Sequence, residues 1–460
     1  MEAFWGFEVW GLLTLFAVLL ISLLIANALK RSVRWLKVSL IPTSVLAGLI
    51  ILVFVGAWDA IFETPFFETK VFGGRGYAYL ETITYHALAL GFIASAFKGG
   101  KHKMTKQRTG EIFNTGVTTV ATYLLQGVFG LGITILASLT LSELFSAAGV
   151  LLPFGYGQGT GQAMNYGNIY EIEHGFVGGK SFGLTIAALG FLSAALGGII
   201  HLNILRRKKK IKVFDEDAVH ENGAVEKNNE IPMQGSIDKL TVQVALIAVA
   251  YLVAYLIMFV LGELLPGMKA TVYGFNFLLG VLAAVFVKTV LRLFKRAGTM
   301  KKEHVNDFLM TRISNVCFDI MVVAGIAAIR LGLLDKYWGV IIILGVVGLV
   351  ITYIYNRIVA KVLFPEYTEE QFLMMYGMLT GTASTGTILL REIDGDFDTP
   401  AADNMVYQNF PAIAFGFPMM FLATFAPGNE ILTLIIFALF FAALNLILFR
   451  SKIFKKKTKK

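Results

Sequence analysis

The chain has 460 residues, 56% of them hydrophobic and only 15% charged, against about 25% charged in ordinary soluble domains. That balance excludes a soluble enzyme, and a single cysteine, Cys317, excludes an internal disulfide and any cysteine-based zinc or iron–sulfur centre. The formal charge of +9 sits in loops between apolar runs, where basic residues set orientation in a bilayer, and does not point to nucleic acid.

A hydrocarbon core of about 30 Å takes about 20 helical residues to cross. Apolar runs of that length predict helices at about 7–29, 38–58, 80–97, 112–139 and 176–201. After a polar break they resume at 240–262, 271–291, 305–329, 339–361, 404–424 and 430–450. The first is expected to be an uncleaved span, because Glu2 and Glu8 precede it, its apolar stretch is too long for a signal peptide, and Lys30, Arg31 and Arg34 follow at once. The fold class expected is an all-α polytopic membrane protein of about eleven transmembrane helices.

Basic residues gather at 30–37, 98–108, 205–239, 288–302, 357–361 and from Arg450 onward, whereas the alternate loops hold only Lys70, Arg75, Lys269, Arg330 and Lys336. By the excess of Lys and Arg on the cytoplasmic side, the N-terminus is expected outside and the C-terminus in the cytoplasm, in the plasma membrane.

Two further stretches, 146–166 and 372–390, are apolar but loaded with Gly, Thr and Ser, which suits neither a lipid-facing helix nor lipid-exposed backbone. Both are expected to be re-entrant hairpins, one from each side. The polar segment 206–239 then reads as a cytoplasmic linker between a first repeat, 1–205, and a second, 240–425, with one more span and a basic tail at 426–460. Gly91-Phe92-Ile93-Ala94 resembles Gly325-Ile326-Ala327-Ala328, and Gly155, Gly159 and Thr160 align with Gly377, Gly381 and Thr382 at one offset. Five spans in the first half invert the second, and inverted repeats with interrupted helices are the architecture of secondary transporters.

The first hairpin reads Pro153-Phe154-Gly155-Tyr156-Gly157-Gln158-Gly159-Thr160-Gly161-Gln162-Ala163. Four glycines at alternating positions argue against a stable helix, at about 1 kcal/mol each relative to Ala. Unwound backbone and a following helix N-terminus suit an anion, and bared carbonyls suit a hard cation such as Na⁺. The blander alternative is a close-packing glycine face. The second hairpin offers the hydroxyls of Thr380, Thr382, Ser384, Thr385 and Thr387, which can bind a carboxylate or sodium, or simply back-bond to their own helix.

Nucleotide motifs fail on spacing, since Thr160 and His174 stand where glycines are required. No catalytic constellation and no cofactor are expected, and the energy source is a gradient. Charges within spans are functional candidates: Arg312 and Asp319 share a helix face with Asn315 between them, to pair with each other or to meet a carboxylate and a cation. The alternative is an Arg snorkelling from a helix end, as is expected of Lys180. Asp394, Asp396, Asp398 and Asp403 read as a solvated rim.

Gly157-Gln158-Gly159-Thr160-Gly161 with Gln162-Ala163, the second Gly-rich segment Gly377 to Gly386, and Asn315-Val316 resemble the sodium/glutamate symporter family. Tyr156 and Gln158 depart from that family's usual Gly and His. The resemblance implies a Na⁺-coupled carrier of glutamate or a related small carboxylate, of the elevator type, working as a homodimer in the lipid bilayer. Expected substrate contacts are Gly157, Gln158, Gly159, Thr160, Gly161, Gln162, Thr380, Gly381, Thr382, Ser384, Thr385, Arg312 and Asn315. Thr160, Asn165, Thr382 and Asp319 are the candidates for holding the coupling Na⁺.

Overall fold

The computed structural model describes residues 5–98, 105–141, 143–208, 237–298, 305–395 and 398–450, and among these the regular elements are all helical. In chain order they are α1 (Phe7–Ser32), α2 (Arg34–Val38), α3 (Thr43–Phe62), α4 (Gly76–Phe97), α5 (Lys106–Ser138), α6 (Leu151–His174) and α7 (Gly179–Arg207). Then follow α8 (Lys239–Leu264), α9 (Lys269–Gly274), α10 (Asn276–Arg296), α11 (Asp307–Ala327) and α12 (Trp338–Leu363). The last are α13 (Thr368–Leu379), α14 (Ala383–Arg391), α15 (Ala401–Tyr407), α16 (Asn409–Thr424) and α17 (Glu430–Leu448). Most of the expected linker and all of the tail beyond Arg450 lie outside the described residues.

Ten of the described helices are long and apolar enough to cross a membrane. The eleventh expected span, 404–424, differs: it is divided into α15 and α16 at Gln408. The break has a local cause. Pro411 has no N–H for the carbonyl of Tyr407, four residues back, and so the regular ladder stops there.

The chain divides into two compact units, each drawing on both halves of the sequence. Of the described residues, the smaller one holds 83–98, 237–298 and 305–321. Its core joins Ile93, Ala94 and Phe97 of α4 to Ile247 and Ala250 of α8, Ala284 of α10 and Met310 of α11. Glycine lets these helices approach: Gly91 faces the ring of Phe318, and Gly280 faces Ile93. One polar tie closes the end of α8, where the Asn306 N–H donates to Gln243 Oε1 at 2.9 Å.

The larger unit is built on α5, a 33-residue helix that packs against α6, α12, α16 and α17. Its buried face is threonine-rich. Thr115, Thr118, Thr119 and Thr122 each donate to a carbonyl four residues earlier, so their hydroxyl hydrogens are satisfied without an outside partner. The last span belongs to this unit as well: the ring of Phe437 on α17 lies over Gly127, and Tyr355 of α12 donates to Asn445 Oδ1 at 3.0 Å. One turn further along α5, Gly130 and Gly149 bring their backbones into direct contact, and Thr134 donates to the Ser146 carbonyl at 2.6 Å.

The contact between Gly130 and Gly149 predicts a sharp asymmetry between glycines. Gly149→Val places a side chain against the Gly130 carbonyl and is expected to cost about 1–3 kcal/mol as overpacking. Gly110, in the first turns of α5, has open space where a Cβ would stand, so Gly110→Ala is expected to gain up to about 1 kcal/mol. Thermal melting of the detergent-purified variants should show one shift down and one up.

Candidate functional site

At Gly159 the backbone leaves the helical region, with φ 77 and ψ −170, inside a segment that is otherwise helical from Leu151 to His174. The interruption reverses the chain. The rings of Phe154 and Tyr166 stack with centroids 3.7 Å apart and planes 10° from parallel, whereas a straight helix would carry them about 18 Å apart. Two limbs therefore lie side by side, one before and one after Gly159. The returning limb runs antiparallel to α7, with Gly183 against Ala163 and Gly179 against Gly167.

The expectation that alternating glycines unwind the whole stretch is corrected here. Gly155, Gly157 and Gly161 keep helical backbone. Burial supplies what their missing side chains do not. Gly155 packs on the backbone of Ala187, and Gly157 receives the ring of Tyr123, whose hydroxyl donates to the Gly157 carbonyl at 3.0 Å.

A second reversal joins α13 to α14. Thr380 and Thr382 leave the helical region, Thr382 being extended at φ −141 and ψ 173. Gly377 then faces Gly386 across the pair, and Gly386 faces the Met374 carbonyl. Here α13 runs antiparallel to α7, from His201 near Phe372 through Ser193, whose carbonyl accepts from the Tyr376 hydroxyl at 2.7 Å, to Gly190 beside Thr380.

Gly190 is where the two reversals meet. A Cβ there would lie 2.6 Å from the Thr380 carbonyl oxygen and 3.3 Å from Tyr156 Cα. Tyr156 is itself clamped. Its hydroxyl donates to the Gly345 carbonyl of α12 at 2.5 Å and lies 2.8 Å from Ser193 Oγ, while its ring covers Gly348. Gln126 of α5 completes the frame by donating from Nε2 to the Leu379 carbonyl at 2.9 Å and to Thr352 Oγ1 at 2.8 Å. The first reversal thus reaches Gly190 from the Gly179 end of α7 and the second from the His201 end.

The groups around these turns are uncharged. Thr160 and Gln162 are buried, as are Thr380 and Thr385, with Asn165 Nδ2 donating to Gln162 Oε1 at 3.0 Å. Gln162 Nε2 is buried and has no hydrogen-bond partner among the described residues. Thr160 packs its Cβ against Gly325 of α11. Thr380 gives its hydrogen to the Tyr376 carbonyl at 2.6 Å, so toward any ligand it acts only as an acceptor. Thr382 Oγ1 and Thr385 Oγ1 stand 3.4 Å apart beside Gly381, Ser384 is half-buried next to them, and Gln158 is half-buried at the first turn. The arrangement offers hydroxyls, amides and the starts of two helical limbs to a ligand that brings its own charge. Among the described residues no group of three His, Cys, Asp or Glu side chains could hold a metal ion.

Arg312, Asn315 and Asp319 have their place in the smaller unit. They are exposed on the stretch of α11 that belongs to the smaller unit, and the Arg312 guanidinium lies 5.1 Å over the Phe308 ring. Lys180, expected to snorkel, instead pairs with Glu81 at 2.7 Å and Glu171 at 3.4 Å. Asp394 caps its own loop by accepting from the N–H groups of Asp398 and Thr399, and Asp396 lies outside the described residues.

At the base of the second reversal Glu369 accepts from Arg357 through two bonds, at 2.7 and 2.8 Å, and lies 2.9 Å from His201 Nε2. Burial pushes its carboxyl up, but the bonds with His201 and Arg357 outweigh that and hold it at about 2. Tyr156, Gln126 and Asn356 were not among the sequence candidates. The signal for the two amides was their place within apolar spans.

The sodium/glutamate symporter family model matches residues 10–369, ending as the second reversal begins. No curated protein and no solved structure matches the chain.

The φ of 77 with ψ of −170 at Gly159 is a conformation open to glycine and strained for other residues. Gly159→Ala is expected to lower stability by about 1–3 kcal/mol, read as a drop in melting temperature. An unchanged melt would mean that the reversal does not depend on that backbone state.

Proposed function

The chain belongs to the sodium/glutamate symporter family, and on that premise we propose that it carries glutamate or a related small carboxylate across the plasma membrane, driven by Na⁺. It is a multi-pass helical membrane transporter. The observation that carries the finer reading is the meeting of two chain reversals at Gly190 from opposite ends of α7, in a neutral neighbourhood of hydroxyls and amides.

The two reversals are re-entrant hairpins in this reading, the first entered from outside and the second from the cytoplasm. They belong to inverted repeats at 1–205 and 240–425. The distribution of basic residues supports an outside N-terminus and a cytoplasmic C-terminus. Each returning limb begins at its turn, so the positive ends of two helix dipoles favour a carboxylate there. Thr160, Thr382 and Thr385 hold the substrate, with Gln158 and Gln162 beside them and the backbone of Gly157, Gly159, Gly161 and Gly381 close by. Thr380 contributes an acceptor, which suits the cation rather than the anion. Ser384 and Asn165 complete the two shells. Arg312, Asn315 and Asp319 remain candidate contacts on the resemblance to the family alone.

Coupling follows from linkage. If substrate and Na⁺ each favour the same closed arrangement of the two turns, each raises the other's affinity by one common factor. Carriage then proceeds by an elevator movement of the unit bearing the hairpins, in a homodimer whose partner surface steadies the remainder. Saturable flux that stops at gradient equilibrium distinguishes this cycle from a channel.

The decisive experiment is uptake of labelled glutamate into proteoliposomes under an inward Na⁺ gradient, with K⁺ replacement and unlabelled competing acids. Na⁺-dependent uptake blocked by unlabelled glutamate is expected. Thr160→Val and Thr382→Val keep the shape and remove one hydroxyl each, and each should cut uptake by about tenfold or more while leaving membrane expression intact. Wild-type kinetics in both variants would take the hairpin hydroxyls out of the site.

A further inference from the structure

Where α7 and α12 end and α13 begins, the larger unit holds an open cavity of about 690 Å³. Lys208, Arg357 and Lys361 line it from the ends of α7 and α12, and Glu366, Glu369 and Glu370 line it from the entry to α13 and its first turn. Arg357 and Glu369 are committed to each other through bonds at 2.7 and 2.8 Å. Among the described residues, Lys208, Lys361, Glu366 and Glu370 make no ion pair.

Charge of both signs in one cavity restricts what can occupy it. An anion alone would face three carboxylates, and a cation alone would face two lysines and an arginine, and like charges brought together are costly. The acidic side is the more strained. Glu370 is half-buried, and burial pushes its carboxyl up, as do the charges of Asp394 and Glu369. Lys361 stands exposed in the last turn of α12. Both sides are satisfied by one molecule that carries an ammonium and an anionic oxygen group a few bonds apart. A primary ammonium gives N–H bonds to carboxylates, whereas a quaternary one calls for aromatic faces, and among the described residues no aromatic side chain lines the cavity. Two helices long and apolar enough to cross a membrane, α7 and α12, end here, which puts the cavity at the depth of lipid headgroups.

We propose that this cavity binds the phosphoethanolamine headgroup of a membrane lipid, with its phosphate at Lys208 and Lys361 and its ammonium at Glu366 and Glu370. A headgroup so held bridges α12 to α13 beside the Arg357–Glu369 bonds and steadies the base of the second reversal. On the orientation proposed above, the lipid belongs to the cytoplasmic leaflet. The site itself rests neither on that orientation nor on the transported substrate.

The test is thermal melting of the full-length protein in nanodiscs of phosphatidylcholine alone, with added phosphatidylethanolamine, or with added phosphatidylglycerol, in the wild type, Lys361→Gln and Glu370→Gln. Phosphatidylethanolamine is expected to raise the wild-type melting temperature above that in both other compositions. Each variant is expected to lose most of that rise while melting no lower than the wild type in phosphatidylcholine. An equal rise in all three proteins would assign the effect to the bilayer and overturn the site. So would an equal rise with phosphatidylglycerol, which has the phosphate without the ammonium. Soluble glycerophosphoethanolamine added to phosphatidylcholine discs separates the sources: a rise that it produces and the lipid does not would overturn the lipid as ligand in favour of a free zwitterion. Uptake is not among these readouts, so a wild type that fails to carry glutamate yet keeps the variant-sensitive rise rejects the substrate and retains the site.

Discussion

Polar backbone atoms inside a membrane must find partners within the protein, because lipid provides none and each unsatisfied group costs several kcal/mol. This protein interrupts its helices at Gly159 and at Thr380–Thr382, and the structure around those points is arranged to meet that demand. The Gly157 carbonyl takes the Tyr123 hydroxyl, and the Leu379 carbonyl takes the Gln126 amide. Tyr156 bridges its own limb to α12. Long side chains from neighbouring helices thereby stabilise irregular backbone, and their burial explains why large polar residues sit in the middle of an apolar unit.

Close approach is the second requirement. Tyrosine rings reach backbone atoms where glycine clears the way: Gly348 accommodates Tyr156, Gly197 accommodates Tyr376, and Gly190 admits both reversals at once. With no hydrophobic drive between helices in lipid, such packing carries association. The pairing of bulky Tyr with Gly is thus one design, in which a cleared surface and an inserted ring fix the position of each turn.

Neutrality follows from the same environment. A permanent charge buried at the turns would be costly in the absence of a ligand, and the residues gathered there are hydroxyls and amides. The ionic groups of this unit sit instead near the ends of the helices, as with Lys180 between Glu81 and Glu171 and Glu369 between Arg357 and His201. They hold the bases of the limbs while the residues gathered at the turns are neutral.

Span positions were legible in the sequence because an apolar run of bilayer length has few alternatives, and the loops were legible through their lysines and arginines. The Gly- and Thr-rich stretches were legible as irregular, and the turns do fall at Gly159 and Thr380–Thr382. The sequence by itself could not tell which glycine breaks the helix, since Gly155, Gly157 and Gly161 have the same local cost and stay helical only because Ala187, Tyr123 and other neighbours cover them. It read Arg312, Asn315 and Asp319 as site candidates from their cost within a span, and the fold places them on the part of α11 that belongs to the smaller unit. Gln126 and Asn356 were single amides in separate helices. Only the crossing of α5 and α12, a contact between residues more than two hundred positions apart, brings the Gln126 amide to Thr352 and the Asn356 amide to Thr122.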